Sequence, residues 1–203
     1  MRRLAQLAAA GAMAGALAGC MSLGQQAPQR YYVLDAPAAG STAAGSAARP
    51  STLLVAPATA ATFYETQDIV YSRAPGVRAY YQYHSWTERP SRRITELVVA
   101  RLERAGQFKT VAPALSGVRG DLVLNLHLAE LYHDAADAPG SARIELAAEL
   151  IDPARRTLLA RRTFERAAPA ASHDAPGAVR ALSQALAAML DDIAAWLDGA
   201  APR

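Results

Sequence analysis

Cysteine, long apolar runs and lysine are all scarce in this sequence, and each scarcity narrows what the protein can be. A single cysteine, Cys20, among 203 residues excludes an intramolecular disulfide framework and a cysteine-based zinc site. No apolar run reaches the roughly 20 residues that a transmembrane helix needs, which excludes a multi-span transporter. Lys109 is the only lysine among 21 basic residues. Because alanine is far above ordinary usage, we interpret this arginine bias as GC-rich coding.

The N-terminal 20 residues have the pattern of a bacterial lipoprotein signal. Arg2 and Arg3 precede an apolar stretch over residues 4–16, which has the length of a signal-peptide h-region. The stretch ends in a lipobox that consists of Leu17, Ala18, Gly19 and Cys20. Small residues let the backbone enter a membrane-embedded peptidase, and the Cys20 thiol takes a diacylglyceryl group. The pattern predicts a signal peptide over residues 1–19 and lipidation at Cys20.

Three other interpretations of this segment remain open. An ordinary secretory signal would be cleaved after Ala18, a retained anchor helix would need a longer run, and a cytosolic amphipathic start would need a polar face. We expect residues 20–29 to form a lipidated tether, because two or three acyl chains anchor a protein stably. Met21 stands where enteric-type sorting uses aspartate for inner-membrane retention. This predicts the outer membrane, facing the periplasm, with the inner membrane as the alternative.

The charge balance argues against a nucleic-acid partner. The formal net charge is +3, and removal of residues 1–19 takes away two arginines and lowers it to +1. Nucleic-acid-binding domains carry a concentrated basic patch instead. The full sequence has 52% hydrophobic and 19% charged residues. Its length fits one domain, which we place over residues 30–198.

Hydrophobic periodicity predicts an α+β fold. Alternation over residues 122–128 and 144–150, followed by a tight turn and a strand over 157–166, predicts an antiparallel meander. Two helices are predicted, one from Pro90 to a stop at Gly106 and one over residues 177–197. The other predicted elements are strands at 30–34, 52–56 and 108–111, a loop over 36–50, and a hairpin of 69–72 with 77–83. We expect a mixed, mostly antiparallel sheet of about six to seven strands with two amphipathic helices on one face.

The residues that could carry chemistry match no catalytic motif. His127 and His133, with Asp134 and Asp137, form the only cluster of ligand-type residues. We interpret them as a solvated strand edge and turn, because a metal site needs three or four convergent ligands. No nucleophile elbow, Gly-rich phosphate loop or His-Glu-x-x-His motif occurs. The sequence predicts no enzyme activity, no metal and no cofactor.

Two groups of charged residues are expected to be solvated. Glu145 and Glu149 share one face of a strand. The last predicted hairpin carries Arg155, Arg156, Arg161, Arg162 and Arg166. We interpret these arginines as a basic edge that discourages strand pairing, with a phospholipid headgroup or an acidic partner as the alternative.

Aromatic residues are concentrated in one short run. Only 6% of the residues are aromatic, yet four aromatic residues lie within seven positions, namely Tyr80, Tyr81, Tyr83 and Trp86. Core packing is the simpler interpretation. The alternative is a protein–protein contact, because Tyr and Trp are favoured anchors. We expect Trp86 to belong to the core and one of the tyrosines to make a partner contact.

The order of these features resembles the ABC-type transport auxiliary lipoprotein family, which includes paraquat-inducible protein C-like proteins. Besides the lipobox, the resemblance rests on residues 31–34 (YYVL), 69–73 (IVYSR), 81–90 (YQYHSWTERP), 106–111 (GQFKTV) and Trp196. It covers nearly the whole chain after Cys20. The sequence departs from the family in a longer, alanine-rich segment over residues 36–50.

The resemblance implies a non-enzymatic periplasmic domain tethered to a membrane. Its implied partners are an inner-membrane ABC permease and ATPase and an MCE-domain substrate-binding protein, working together in lipid transport across the envelope. A homo-oligomer is left open. Two other functions compete with this one: an assembly lipoprotein for lipopolysaccharide or outer-membrane proteins, and a periplasmic hydrolase or metal-binding lipoprotein that uses His127 and His133.

Overall fold

A computed structural model describes residues 27–37 and 48–202. The predicted signal peptide and the lipobox of Leu17, Ala18, Gly19 and Cys20 lie outside the described residues. So do the first seven residues of the predicted tether and residues 38–47 of the predicted loop.

The described residues form nine strands in one mixed sheet. The strands are β1 (Arg30–Tyr32), β2 (Arg49–Val55), β3 (Thr59–Ala60), β4 (Asp68–Ser72), β5 (Ala79–Trp86), β6 (Phe108–Pro113), β7 (Leu122–Asp134), β8 (Ser141–Asp152) and β9 (Thr157–Pro169). The α+β class is confirmed, and the strand count exceeds the expected six or seven. One of the strands that was not predicted is β3, because its two residues are too few to show an alternation of apolar and polar side chains.

The long strand β7 organises the sheet. Along one edge it pairs antiparallel with β8, which pairs antiparallel with β9, so the predicted meander is confirmed. Along its other edge β7 pairs parallel with β2, β3 and β4 in turn. The strands β4 and β5 form the predicted antiparallel hairpin. The three-residue strand β1 runs parallel to β5, and β6 runs parallel to β2.

A register shift in β7 reverses which residues face inward. Alternate residues from Leu122 to Leu128 are buried, as their spacing predicts. The pairing with β8 then shifts between Leu128 and Glu130, and such a bulge changes the phase of the alternation. After it Leu131 and His133 face the core, while Glu130 and Tyr132 face away.

Both helices cover the same face of the sheet, as predicted. The first, α1 (Pro90–Ala105), has Pro90 in its first turn and ends at Gly106, whose φ of 64° is left-handed. The second, α2 (Ala175–Ala200), is capped by Asp174, whose carboxylate accepts a hydrogen bond from the Gly177 amide at 2.8 Å. Helix α2 packs on β8 and β9, and α1 packs on β6. Neither of these described helices combines the length and apolar content of a membrane span.

Residues 33–37 form a strap that crosses from β1 to the two helices. Leu34 and Ala36 are buried in it. Arg93 Nε donates to the Leu34 carbonyl at 2.9 Å, and the buried Arg101 donates to the Ala36 carbonyl at 3.0 Å. Arg101 also pairs with Asp191 of α2. Two arginines of α1 therefore fasten the start of the domain to its helical layer.

Candidate functional site

The structure separates the four residues of the aromatic run. Trp86 is 1% exposed and lies in the core, as expected, so the alternative of a partner contact through this residue is removed. Tyr80 is 41% exposed. Its ring stacks on Phe63 with centroids 4.7 Å apart, and its hydroxyl donates to the Phe63 carbonyl at 3.2 Å. Tyr81 and Tyr83 are half-buried. Tyr80 and Phe63 together form the exposed part of this aromatic region.

Tyr81 belongs to a buried hydrogen-bond network with His133. The Tyr81 hydroxyl and His133 Nδ1 are 2.7 Å apart, and His133 Nε2 lies 3.1 Å from the Pro139 carbonyl oxygen. A carbonyl only accepts, so Nε2 carries the proton and Nδ1 accepts from the tyrosine. Both ring nitrogens of this fully buried histidine are therefore satisfied.

Burial keeps the groups in this network neutral near pH 7. Loss of solvation lowers the pKa of His133 below its ordinary value, although the Pro139 carbonyl acts in the opposite direction. The same effect raises the pKa of Tyr81 to about 12. The His173 ring lies 5.8 Å from that of His133 and further disfavours its protonation. The solvated position expected for His133 is wrong, because the bulge in β7 turns this side chain inward.

The predicted histidine–aspartate cluster does not converge. His127 faces away from the helices, and its Nδ1 lies 2.9 Å from Thr59 Oγ1. Six residues of extended strand place it roughly 20 Å from His133. Asp134 pairs with Arg143 at 3.7 Å, and Asp137 is exposed in the following turn. Over residues 27–37 and 48–202, no three metal-ligating side chains come together.

The face of the sheet away from the helices carries paired charges. Arg161 of β9 lies 3.5 Å from Glu149 of β8. Arg78 pairs with Glu130 at 2.9 Å and lies 3.8 Å above the Tyr132 ring. These ion pairs are partly exposed, so each contributes little to stability. This face of the sheet is therefore a polar, solvent-exposed surface.

The five arginines of the last hairpin do not act as one patch. Arg162 and Arg166 lie on the helical side of β9, where Arg162 covers the Phe164 ring at 5.0 Å and Arg166 pairs with Asp192. Arg155 pairs with Asp152 at 2.7 Å in the turn before β9. They are divided between two faces and a turn.

An open groove of about 1040 Å³ follows the exposed side of α1. Its apolar part includes Val99 and Leu115, the latter 84% exposed. Its charged rim consists of Glu65, Glu88, Glu96, Glu103, Arg89 and Arg92. Local sequence patterns do not predict this groove, because its lining comes from separate segments. The available signal was the four-residue spacing of Glu88, Arg92 and Glu96 at the start of α1.

The deciding comparison is with models of protein families. Residues 32–194 match the model of the ABC-type transport auxiliary lipoprotein component. The chain belongs to this family. The match extends from β1 into α2 and confirms the resemblance derived from the sequence motifs.

Solved structures share the fold of this auxiliary lipoprotein. Protein XCC0632 from Xanthomonas campestris, of family DUF330, is 25% identical, with 84% of this chain and 96% of that chain covered and a TM-score of 0.75. An uncharacterized protein of solved structure is 16% identical, with 84% and 99% covered and a TM-score of 0.66. Comparison with curated proteins gives no significant match.

Proposed function

We propose that the chain is anchored through Cys20 to the outer membrane and acts in the periplasm as a non-catalytic component of an ABC/MCE-type lipid transport system. The family match over residues 32–194 carries this proposal, because it assigns the whole two-layered domain to the auxiliary lipoproteins of ABC transporters. The lipobox supplies the anchor, and Met21 favours the outer membrane.

The arrangement of the polar residues supports a role without chemistry. The one buried histidine has both ring nitrogens occupied by Tyr81 and Pro139. The other candidate ligand, His127, lies on the opposite face. A catalytic site would instead bring a nucleophile or general base together with groups that orient it. Hydrolysis of ATP belongs to the partner ATPase in the cytoplasm.

The partner contact in this proposal uses Tyr80, supported by Phe63. The stacked pair presents rigid aromatic area at the surface, and such residues dominate binding energy at interfaces. Arg78, beside the same strand, supplies a charged margin with Glu130.

A crosslinking experiment on living cells tests the proposal. A photoreactive phenylalanine analogue at position 80 should crosslink the MCE-domain protein, identified by mass spectrometry. Position 31 is the matched control, because Tyr31 is 66% exposed on the neighbouring strand. Capture of outer-membrane assembly proteins from position 80 would contradict the proposed system.

A binding measurement gives the contribution of Tyr80 to the affinity for the partner. Tyr80→Ala should weaken binding of the purified MCE-domain protein by about 2 kcal/mol, or roughly 30-fold. Tyr31→Ala should bind like the wild type. Equal binding by both variants would remove Tyr80 from the interface.

A further inference from the structure

The direction of β1 shows from which end the anchor approaches the domain. β1 runs parallel to β5, with Arg30 opposite His84. The residues before Arg30 therefore point towards the end of the sheet at which β5 begins. We call this the hairpin end and define it by the turns over residues 73–78 and 135–140 and the loop over 170–174.

The length of the tether restricts which end of the domain can reach the bilayer. Between Cys20 and residue 27, where the described part of the chain begins, the tether spans at most about 25 Å when fully extended. Strand β7 has 13 residues and is about 40 Å long. The opposite end of the sheet, where β7 begins, is therefore too far from the attachment point to rest on the membrane that holds Cys20.

The hairpin end is also the less charged of the two. Its exposed residues are mostly small or apolar, namely Ala74, Pro75, Gly76, Val77, Ala136, Ala138, Pro139 and Ala171. Arg73, Asp137 and His173 are its other exposed ionisable residues, apart from the α2 cap Asp174. The turns at the opposite end expose four charged residues, Arg119, Asp121, Arg155 and Arg156, beside the apolar Leu115 and Val118.

Hydrogen bonds fix the shape of the hairpin end. The Ala135 amide donates to the Ser72 carbonyl at 2.7 Å, and the Ala170 amide donates to the Gly140 carbonyl at 3.0 Å. His133 Nε2 donates to the Pro139 carbonyl within the turn over residues 135–140. The three loops are therefore joined, and a surface already fixed in shape loses little conformational entropy when it binds.

We propose that the hairpin end rests on the bilayer in which Cys20 is anchored, with residues 74–77 and 136–139 in the headgroup region. The inference rests on the lipidation of Cys20 in the proposed function. Val77, which is 53% exposed, contributes apolar contact. Because the exposed charges of Arg73, Asp137 and Asp174 add to −1, the contact gains nothing from anionic lipid. This orientation points the charged end, with Arg155 and Arg156, away from the membrane.

Fluorescence quenching in vesicles tests this orientation. The full mature, lipidated protein is reconstituted into phosphatidylethanolamine–phosphatidylglycerol vesicles that contain nitroxide-labelled lipid. The exposed residues Ala74, at the hairpin end, and Ala154, at the opposite end, are each replaced in turn (Ala74→Cys, Ala154→Cys) and labelled with bimane. We expect several-fold stronger quenching at position 74 than at 154. Equal quenching, or stronger quenching at 154, would overturn the orientation.

Two further measurements distinguish a failure of the Cys20 anchor from a failure of the proposed orientation. The mass of the N-terminal peptide reports lipid on Cys20: its absence overturns the anchor and the orientation together, whereas its presence with equal quenching overturns the orientation alone. The difference between the two positions should persist in phosphatidylcholine vesicles. A difference that appears only with anionic lipid would contradict the apolar contact.

Discussion

Gly140 and Gly76 allow the cost of crowding at the hairpin end to be measured directly. Both glycines have left-handed backbones, with φ of 85° and 75°. A Cβ at Gly76 would meet nothing within 4 Å. A Cβ at Gly140 would lie far inside van der Waals contact with the Asp134 carbonyl oxygen and His133 Nε2. The two sites thus share the backbone strain and differ in the space around the side chain.

The expected effects of alanine follow from that difference. Gly76→Ala should cost about 1 kcal/mol of unfolding free energy, the ordinary penalty for a left-handed alanine. Gly140→Ala has the same penalty and must also move the turn. The movement breaks the hydrogen bond between Pro139 and His133 and leaves a buried donor unpaired, at about 1–3 kcal/mol. We therefore expect a loss of about 2–4 kcal/mol in total.

Urea denaturation followed by circular dichroism measures both variants against the wild type. The midpoint should fall about two to four times further for Gly140→Ala than for Gly76→Ala, with an unchanged slope. Equal losses in the two variants would refute the conclusion that His133 and the turn over 135–140 pack as one unit.

The remaining predictions concern pH, the core, the anchor and metal. The unfolding free energy should fall as the pH drops below about 6.5, because His133 has a lowered pKa in the folded protein and binds its proton more readily when unfolded. In urea titrations between pH 5 and 8, the unfolding free energy of His133→Leu should depend less on pH than that of the wild type. The same pH dependence in both proteins would contradict the burial argument. Trp86→Ala should lower stability by about 3–5 kcal/mol in thermal or urea unfolding, and a native-like midpoint would place Trp86 outside the core. Cys20→Ala should abolish labelling by a fatty-acid analogue, whereas retained label would reject the lipobox. Purified protein should contain no stoichiometric zinc by elemental analysis, and one zinc per chain, lost in His127→Ala His133→Ala, would show that these histidines bind metal.

Local patterns were sufficient to predict most of the fold. The first helix could be placed to the residue, because Pro90 and Gly106 mark its two ends and its apolar residues repeat at helical spacing. The hairpin of β4 and β5 follows from a Pro-Gly turn between two segments of strand formers. These features depend on residues close together in the sequence, where propensity and periodicity act directly.

The features that were missed depend on contacts between distant segments. The bulge at Leu128 reverses the alternation in β7, so a histidine expected in solvent became buried. Its partner Tyr81 lies 52 residues away in the sequence, and no local pattern joins the two. β3 has only two residues and pairs with β7 because the sheet has space for it there. The groove along α1 is likewise assembled from separate segments.

The position of β1 determines how the domain resists a pulling force on the chain before Arg30. Tension on the tether acts on Arg30 along the axis of β1, parallel to β5, so it shears the pairing of this strand instead of peeling it away one residue at a time. The strap that follows directs the same force into the helical layer, where Arg93 and Arg101 hold its carbonyls. A strand of three residues can thereby serve as a firm mechanical attachment for the lipid anchor that we propose at Cys20.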